Sequence, residues 1–163
     1  MNQHNTLVVG IGSSHGDDQA GWLVVDSLSK AHAQFYINVR KAQSPADVLH
    51  WLEDIDRLII CDACRGLDRV GTVRRFPWPA IELQTATFSG THDLSLTAAL
   101  TLAEHLGRLP GEVEIWAVEG AAGEMESPIS PEVSAALPQI VNQIMRRLHD
   151  EPLPARQVCM SNH

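Results

Sequence analysis

The chain has 163 residues, a formal net charge of −8 and 44% hydrophobic residues, which fits one soluble globular domain with a single core. The acidic balance, without a basic stripe, argues against nucleic acid as a partner. No signal peptide or membrane-length apolar run is visible, so no membrane insertion is expected. An odd count of three cysteines favours a reducing cytoplasm over a disulfide framework.

Apolar strand patterns and amphipathic helix patterns alternate along residues 1–150, which we interpret as one domain. Strands are predicted at 6–12, 36–41, 57–62, 71–76 and 112–118, and helices at 19–31, from 45 onward, 94–106 and 131–148. Ser44, Asp93 and Ser130 are the predicted caps of the last three helices. The alternation predicts an α/β fold with a largely parallel sheet and helices on both faces. Residues 151–163, with two prolines and no periodicity, are predicted to form a flexible tail.

The first predicted strand leads into a glycine-containing turn with two adjacent carboxylates, Asp17 and Asp18. Negative charge before a helix favours a cation or a water over a phosphate. Ligands of such sheets collect at the carboxyl ends of the strands. We therefore expect Asp18 to lie near Asp62, at the end of the third strand, and near His92, in the loop before a helix. Two carboxylates and an imidazole can hold a divalent transition metal with positions left open.

Simpler interpretations of the same residues stay open. Asp18 can cap the first long helix, Asp62 can accept amide protons at a loop, and His92 can be an ordinary surface histidine. Residues 12–16, GSSHG, also match a nucleophile elbow, with Ser14, Asp62 and His92 in hydrolase order. Two aspartates between that serine and its helix argue against an esterase.

Two further patterns are weak. A dinucleotide fingerprint lacks its third glycine, because position 15 is histidine. Cys61 and Cys64 are spaced as C-x-x-C, but the chain has no second such pair for zinc. Both cysteines are therefore expected to be buried and structural.

Four segments, in their order and spacing, resemble the hydrogenase maturation proteases. They are VGIG at 9–12 with GDDQAG at 16–21, IICDACR at 59–65 with GTV at 71–73, SGTHDLSL at 89–96, and ISPEV at 129–133. The resemblance runs almost end to end. It implies a three-layer α/β/α sandwich with a twisted, mostly parallel five-stranded sheet, of phosphorylase/hydrolase-like type.

The resemblance also implies an activity. Family members are endopeptidases that remove a C-terminal extension from the nickel-loaded large-subunit precursor of a nickel-iron hydrogenase. Matched residue by residue, the metal-contacting and catalytic positions of the family are Asp18, Asp62 and His92. The nickel is expected to arrive with the precursor, so that the isolated protein need hold none. We expect a cytoplasmic monomer whose partner is that precursor.

The chain departs from the family pattern in two loops. Residues 13–16, SSHG, replace a usual asparagine-proline stretch and are one residue shorter, which makes His15 an additional candidate near the metal. Residues 41–47, KAQSPAD, replace a glycine-rich loop that is thought to help recognise the precursor. A non-cleaving chaperone that binds precursor or nickel is therefore an alternative function, and a serine esterase using Ser14 is a more remote one. Asp17 is expected to cap the helix or to support a ligand.

Overall fold

The structure, a computed structural model, describes residues 5–31, 37–88, 94–121 and 127–150. The strands are β1 Thr6–Ile11, β2 Ile37–Ala42, β3 Arg57–Arg65, β4 Val73–Pro77, β5 Thr87–Phe88 and β6 Glu112–Glu119. The helices are α1 Ala20–Ala31, α2 Pro45–Val48, α3 Leu96–His105 and α4 Pro131–Asp150, with 3-10 turns at Gly16–Gln19, Leu49–Trp51 and Ile81–Gln84. None of the helices in these ranges is both long and apolar enough to cross a membrane.

One mixed sheet runs through the molecule in the order β2-β1-β3-β6-β4. The three central pairings, β1 with β2, β1 with β3 and β3 with β6, are parallel. The edge strand β4 is antiparallel to β6, and the two-residue β5 is antiparallel to the end of β3. The mostly parallel sheet is confirmed, and it gains β5 as a sixth strand beyond the five predicted.

Helices cover both faces of the sheet and make the three layers that were predicted. On one face, α1 and α4 pack against side chains such as Ile59 of β3. On the other face, α2 and α3 pack against side chains such as Ile60. Successive residues of β3 thus serve opposite layers, and burial on both sides explains why this strand reads as a continuous apolar run.

The crossing of α1 over the sheet depends on two glycines of the opening segment. A Cβ atom at Gly10 would lie 2.1 Å from the carbonyl oxygen of Gly21, and one at Gly21 would lie 2.5 Å from the carbonyl oxygen of Cys61. No side chain fits at such distances, so the helix backbone rests directly on β1 and β3. This contact fixes the position of the 3-10 turn that precedes α1 and carries Asp17 and Asp18.

Several predicted boundaries are shifted by one to three residues, such as the start of β4 at Val73 instead of residue 71, and two of the shifts have a clear cause. β3 extends three residues beyond Asp62, because its pairing with β6 continues to Cys64 and Glu119 and its end also pairs with β5. The N-cap of α3 is Ser95, whose Oγ accepts the backbone N–H of Ala98 at 3.1 Å, and not Asp93. The start of α3 therefore lies two residues later than predicted.

The helix start predicted at Ser44 is confirmed. The side chain of Ser44 accepts a backbone N–H at the start of α2, and the side chain of Asp47 accepts the backbone N–H of Ser44. Together they form a full capping box, with Pro45 in the first turn. The helix itself is only four residues long and passes into a 3-10 turn. The predicted tail at 151–163 lies outside the described residues.

Candidate functional site

The opening loop is closed by its own backbone hydrogen bonds. The N–H of Ser13 donates to the carbonyl oxygen of Asp18 at 3.1 Å, and the N–H of Asp18 donates to that of His15 at 3.0 Å. The N–H of Gly12 donates to the carbonyl oxygen of Ala42 at 3.0 Å, which ties the loop to the end of β2. The loop is thus a compact turn at the carboxyl edge of the sheet, with the Asp18 side chain 31% exposed.

Asp17 has a different role from its neighbour. Its side chain is buried, and its carboxylate accepts the N–H of Ala121 at 2.7 Å, the N–H of Ser130 at 2.7 Å and the hydroxyl of Ser130 at 3.0 Å. These bonds join the first loop to the end of β6 and the start of α4. The expectation that Asp17 caps α1 is therefore wrong, because its oxygens face these distant segments.

Asp62 lies on β3 opposite Ala117 of β6, with only 1% of its surface exposed. The alternation along β3 places it on the face of Ile60 and Cys64, under α2 and α3. The 3-10 turn that carries Asp18 contacts β3, the strand of Asp62. Both predicted carboxylates therefore belong to the same edge of the sheet.

The third predicted ligand, His92, lies outside the described residues. Within the ranges that the structure does describe, no group of three His, Cys, Asp or Glu side chains is placed to hold a metal. The described chain thus supplies at this edge two carboxylates, Asp18 and Asp62, whose oxygens suit a divalent cation. The complete three-residue site remains a prediction.

Arg65, at the end of β3, was not singled out from the sequence. Its Nη2 lies 3.7 Å from Oδ1 of Asp18, and its Nη1 donates to the carbonyl oxygen of Cys64 at 3.4 Å. The guanidinium lies over Gly120, where a Cβ atom would come within 2.5 Å of Nη1. The positively charged guanidinium of Arg65 therefore lies beside the partly exposed carboxylate of Asp18.

Glu119, the last residue of β6, is a second residue that sequence reasoning missed. Its buried carboxylate accepts the N–H groups of Gly66 and Leu67 at 2.7 and 3.2 Å, and the thiol of Cys64 at 3.2 Å. It therefore holds the beginning of the loop that joins β3 to β4. A charged residue directly after the apolar run at 115–118 was the available signal.

The two cysteines of β3 are buried and free, as expected. Burial raises the pKa of the Cys61 thiol, and the nearby carboxylates of Asp62 and Glu114 raise it further. Burial also raises the pKa of the Cys64 thiol, and its hydrogen bond to Glu119 adds to the effect. Both thiols therefore stay protonated at neutral pH, which is unsuited to redox or nucleophilic chemistry.

Ser14 and His15 are both exposed. The backbone N–H of His15 donates to Oγ of Ser13 at 3.3 Å. Between the end of β1 and the start of α1 lie a turn and the 3-10 segment Gly16–Gln19, so that Ser14 does not stand at a direct strand-to-helix turn. This backbone differs from the nucleophile elbow that an esterase requires.

A groove of about 460 Å³, lined by both apolar and polar side chains, opens on the α2–α3 side of the same edge. Pro45 lines one wall, so the altered 41–47 loop borders it. Its other lining residues come from around β5 and the start of α3, and include Leu83, Phe88, Leu94 and Leu96.

Comparison with known families gives one match, to a sequence model described as hydrogenase maturation protease, over residues 42–147. Asp62 and His92 fall within this match, whereas Asp18 precedes it. No curated protein sequence matches the chain.

Solved structures match over most of the chain. The hydrogenase maturating endopeptidase HybD from E. coli superimposes with a TM-score of 0.74 at 21% identity, over 88% of this chain and 91% of that one. The [NiFe] hydrogenase maturation protease HybD from Thermococcus kodakarensis gives 0.69 at 18% identity, over 88% and 99%. The hydrogenase 2 maturation peptidase from Thaumarchaeota archaeon SCGC_AB-539-E09 gives 0.66 at 26% identity, over 90% and 99%. These structures share the three-layer fold with this chain.

Proposed function

This chain belongs to the hydrogenase maturation protease family, and we propose that it is an endopeptidase that removes the C-terminal extension of a nickel-iron hydrogenase large-subunit precursor. The observation that carries the proposal is the family match over residues 42–147, which includes Asp62. The fold supports it, because the turn that carries Asp18 meets β3, the strand of Asp62, at the carboxyl edge of the sheet. Ligand sites of parallel α/β proteins lie at this edge.

We propose that Asp18 and Asp62 bind the nickel that the precursor carries, with His92 as a nitrogen ligand. The roles of the two carboxylates differ. Asp62 is held in a paired strand and is nearly inaccessible, which makes it a fixed ligand. Asp18 is partly exposed on a turn, where it can meet an incoming metal. The metal, which arrives as cargo of the substrate, can polarise a carbonyl group or acidify a bound water.

Specificity for the nickel-loaded precursor follows from this arrangement. A precursor that already holds nickel brings its extension close to the edge of the sheet, which is a proximity effect. The groove bordered by Pro45 and Phe88 lies at the same edge of the sheet and offers an extended segment a path lined by apolar and polar side chains. The protein then acts as an aspartate-dependent endopeptidase only after metal insertion.

The setting that we propose is the cytoplasm, with the protein as a monomer. Two buried cysteines remain as free thiols close together on one strand, which suits a reducing compartment.

The deciding experiment is incubation of the protein with nickel-loaded and with nickel-free precursor, followed by mass spectrometry of the large subunit. Loss of the extension only from the nickel-loaded precursor is the expected result. A stable complex without loss of mass would instead make the protein a non-cleaving chaperone. Neither cleavage nor complex formation with any hydrogenase precursor of the host would contradict the proposal.

A further inference from the structure

We propose that Arg65 is a counter-ion of Asp18 that a divalent cation must displace, so that the isolated protein binds free cations weakly. The inference deepens the proposed function and rests on the part of it that assigns Asp18 to the metal. Arg65 is a positioning residue in this role, because it acts on the carboxylate and not on the substrate.

The position of the guanidinium is set by the surrounding backbone. Arg65 follows the last residue of β3 that pairs with β6, and its Nη1 donates to the carbonyl oxygen of Cys64 at 3.4 Å. Gly120 leaves the space that the guanidinium fills, and the Cβ of Asp17 closes the same space from another side. The charge of Arg65 is therefore kept near the loop that carries Asp18.

The contact with Asp18 is electrostatic and loose. The distance of 3.7 Å between Nη2 and Oδ1 is longer than a hydrogen bond, and both side chains are about one third exposed, at 33% and 31%. Ion pairs of this kind contribute little to folding. A ligand can therefore separate the two side chains at little cost. The positive charge of Arg65 nevertheless opposes a free cation that approaches the Asp18 carboxylate.

This arrangement favours nickel presented by a protein over nickel free in solution. A free cation must displace Arg65 using only its own ligand bonds. A precursor supplies additional contacts that offset the displacement. Removal of the positive charge should therefore strengthen the binding of a free cation.

The test is calorimetric titration of the intact protein with Cd²⁺ and with Ni²⁺ alone, at low and at high ionic strength. Arg65→Gln is expected to bind about tenfold more tightly than the wild type at low salt, with a smaller difference at high salt because exposed charges are screened. Arg65→Lys keeps the charge and is expected to stay within about threefold of the wild type.

A second variant moves the charge without removing it. In Gly120→Ala the new methyl group would lie 2.5 Å from Nη1 and 3.0 Å from Cζ of Arg65, and 3.1 Å from the Cβ of Asp17. Because the end of the arginine side chain can move most easily, the substitution is expected to shift the guanidinium and to strengthen binding in the same direction as Arg65→Gln. Arg108→Gln is the matched control, because it removes the same charge from an exposed residue beyond α3, at the opposite edge of the sheet. It should bind cations like the wild type.

Equal or weaker binding by Arg65→Gln, including no measurable binding by either protein, would overturn the inference. A gain of the same size in Arg108→Gln would also overturn it, since the effect would then be one of net charge. The precursor assay separates this result from the proposed function. If the wild type cleaves the precursor and Arg65→Gln shows no gain in cation affinity, only the counter-ion role of Arg65 is rejected. If Arg65→Gln gains cation affinity and the wild type does not cleave, only the protease activity is rejected.

Discussion

Asp17 and Ser130 are joined by two hydrogen bonds, one from the backbone N–H of Ser130 at 2.7 Å and one from its hydroxyl at 3.0 Å. The two residues lie 113 positions apart in the sequence. Because Asp17 also accepts the N–H of Ala121, a single carboxylate holds the first loop, the end of β6 and the start of α4 together. The partly exposed Asp18 is thus presented by a neighbour whose own function is structural.

Replacing Asp17 tests this anchoring role. Asp17→Ala leaves the N–H groups of Ala121 and Ser130 without their acceptor, and is expected to lower the free energy of unfolding by about 2–4 kcal/mol. Ser130→Ala removes only the hydroxyl contact and is expected to lower it by about 1 kcal/mol. Urea denaturation of both variants measures the two values. Equal and small losses would show that the carboxylate does not hold the segments.

The sequence was sufficient to predict the layers and most of the sheet, because the central strands β1 and β3 are mainly apolar and glycines mark the first turn. It was insufficient for contacts between distant segments. Nothing local distinguishes Asp17, which bonds to residues more than a hundred positions away, from Asp18, which is partly exposed. The role of Glu119 escaped for the same reason, since its partners at Gly66 and Leu67 follow a different strand.

Strand pairing decided one of the shifted boundaries, and helix capping decided another. β3 continues past Asp62 because β6 and the two-residue β5 are there to accept its hydrogen bonds. A strand as short as β5 carries no periodic signal of its own. The start of α3 moved to Ser95 because two good capping residues, Asp93 and Ser95, lie close together, and local preference alone does not rank them.

Asp62→Asn is expected to abolish cleavage of the nickel-loaded precursor while the fold is retained. The substitution keeps the size of a nearly inaccessible side chain and removes the negative charge that a metal ligand needs. The extension remaining on the large subunit is measured by mass spectrometry, and the fold by circular dichroism. Asp26→Asn is the control and should cleave normally. It removes the same charge from Asp26 of α1, which forms an exposed ion pair with Lys41 of β2. Full activity of Asp62→Asn would exclude Asp62 from the site.

Ser14→Ala is expected to cleave the precursor at the wild-type rate. The side chain is exposed on the turn after β1, and the backbone there lacks the direct passage into a helix that a nucleophile elbow needs. For the same reason a fluorophosphonate that reacts with activated serines should not label the wild-type protein. Labelling at Ser14, or loss of activity in the alanine variant, would instead support a serine esterase that uses Ser14.

Gly21→Ala is expected to destabilise the protein by at least about 2 kcal/mol and to impair cleavage. The added methyl group would lie 2.4 Å from the carbonyl oxygen of Ile11 and 2.5 Å from that of Cys61, both backbone atoms that cannot turn aside. Helix α1 must then move away from the sheet and take Asp18 with it. Ser27→Ala, on the exposed face of the same helix, is the control and should leave stability within about 0.5 kcal/mol of the wild type. Unchanged stability of Gly21→Ala would contradict the close packing of α1.

The buried thiols predict a loss of stability in alkaline solution. Burial raises the pKa of Cys61 in the folded protein, followed by the effect of Asp62, while the unfolded chain keeps an ordinary thiol pKa near 9.0. Above pH 9 the unfolded state therefore releases a proton that the folded state retains, and stability falls as pH rises. The loss is about 1.4 kcal/mol for each such thiol by pH 10.

Cys61→Ala isolates this effect from other groups that titrate in the same range. The variant is less stable than the wild type at pH 7, because a buried side chain has been shortened. Since it has lost the thiol, it lacks that part of the alkaline destabilisation. The difference in unfolding free energy between the two proteins should therefore shrink by about 1.4 kcal/mol between pH 7 and pH 10. Urea midpoints at both pH values measure the difference. A constant difference would mean that Cys61 ionises as readily in the folded protein as in the unfolded chain, which its position in the core does not allow.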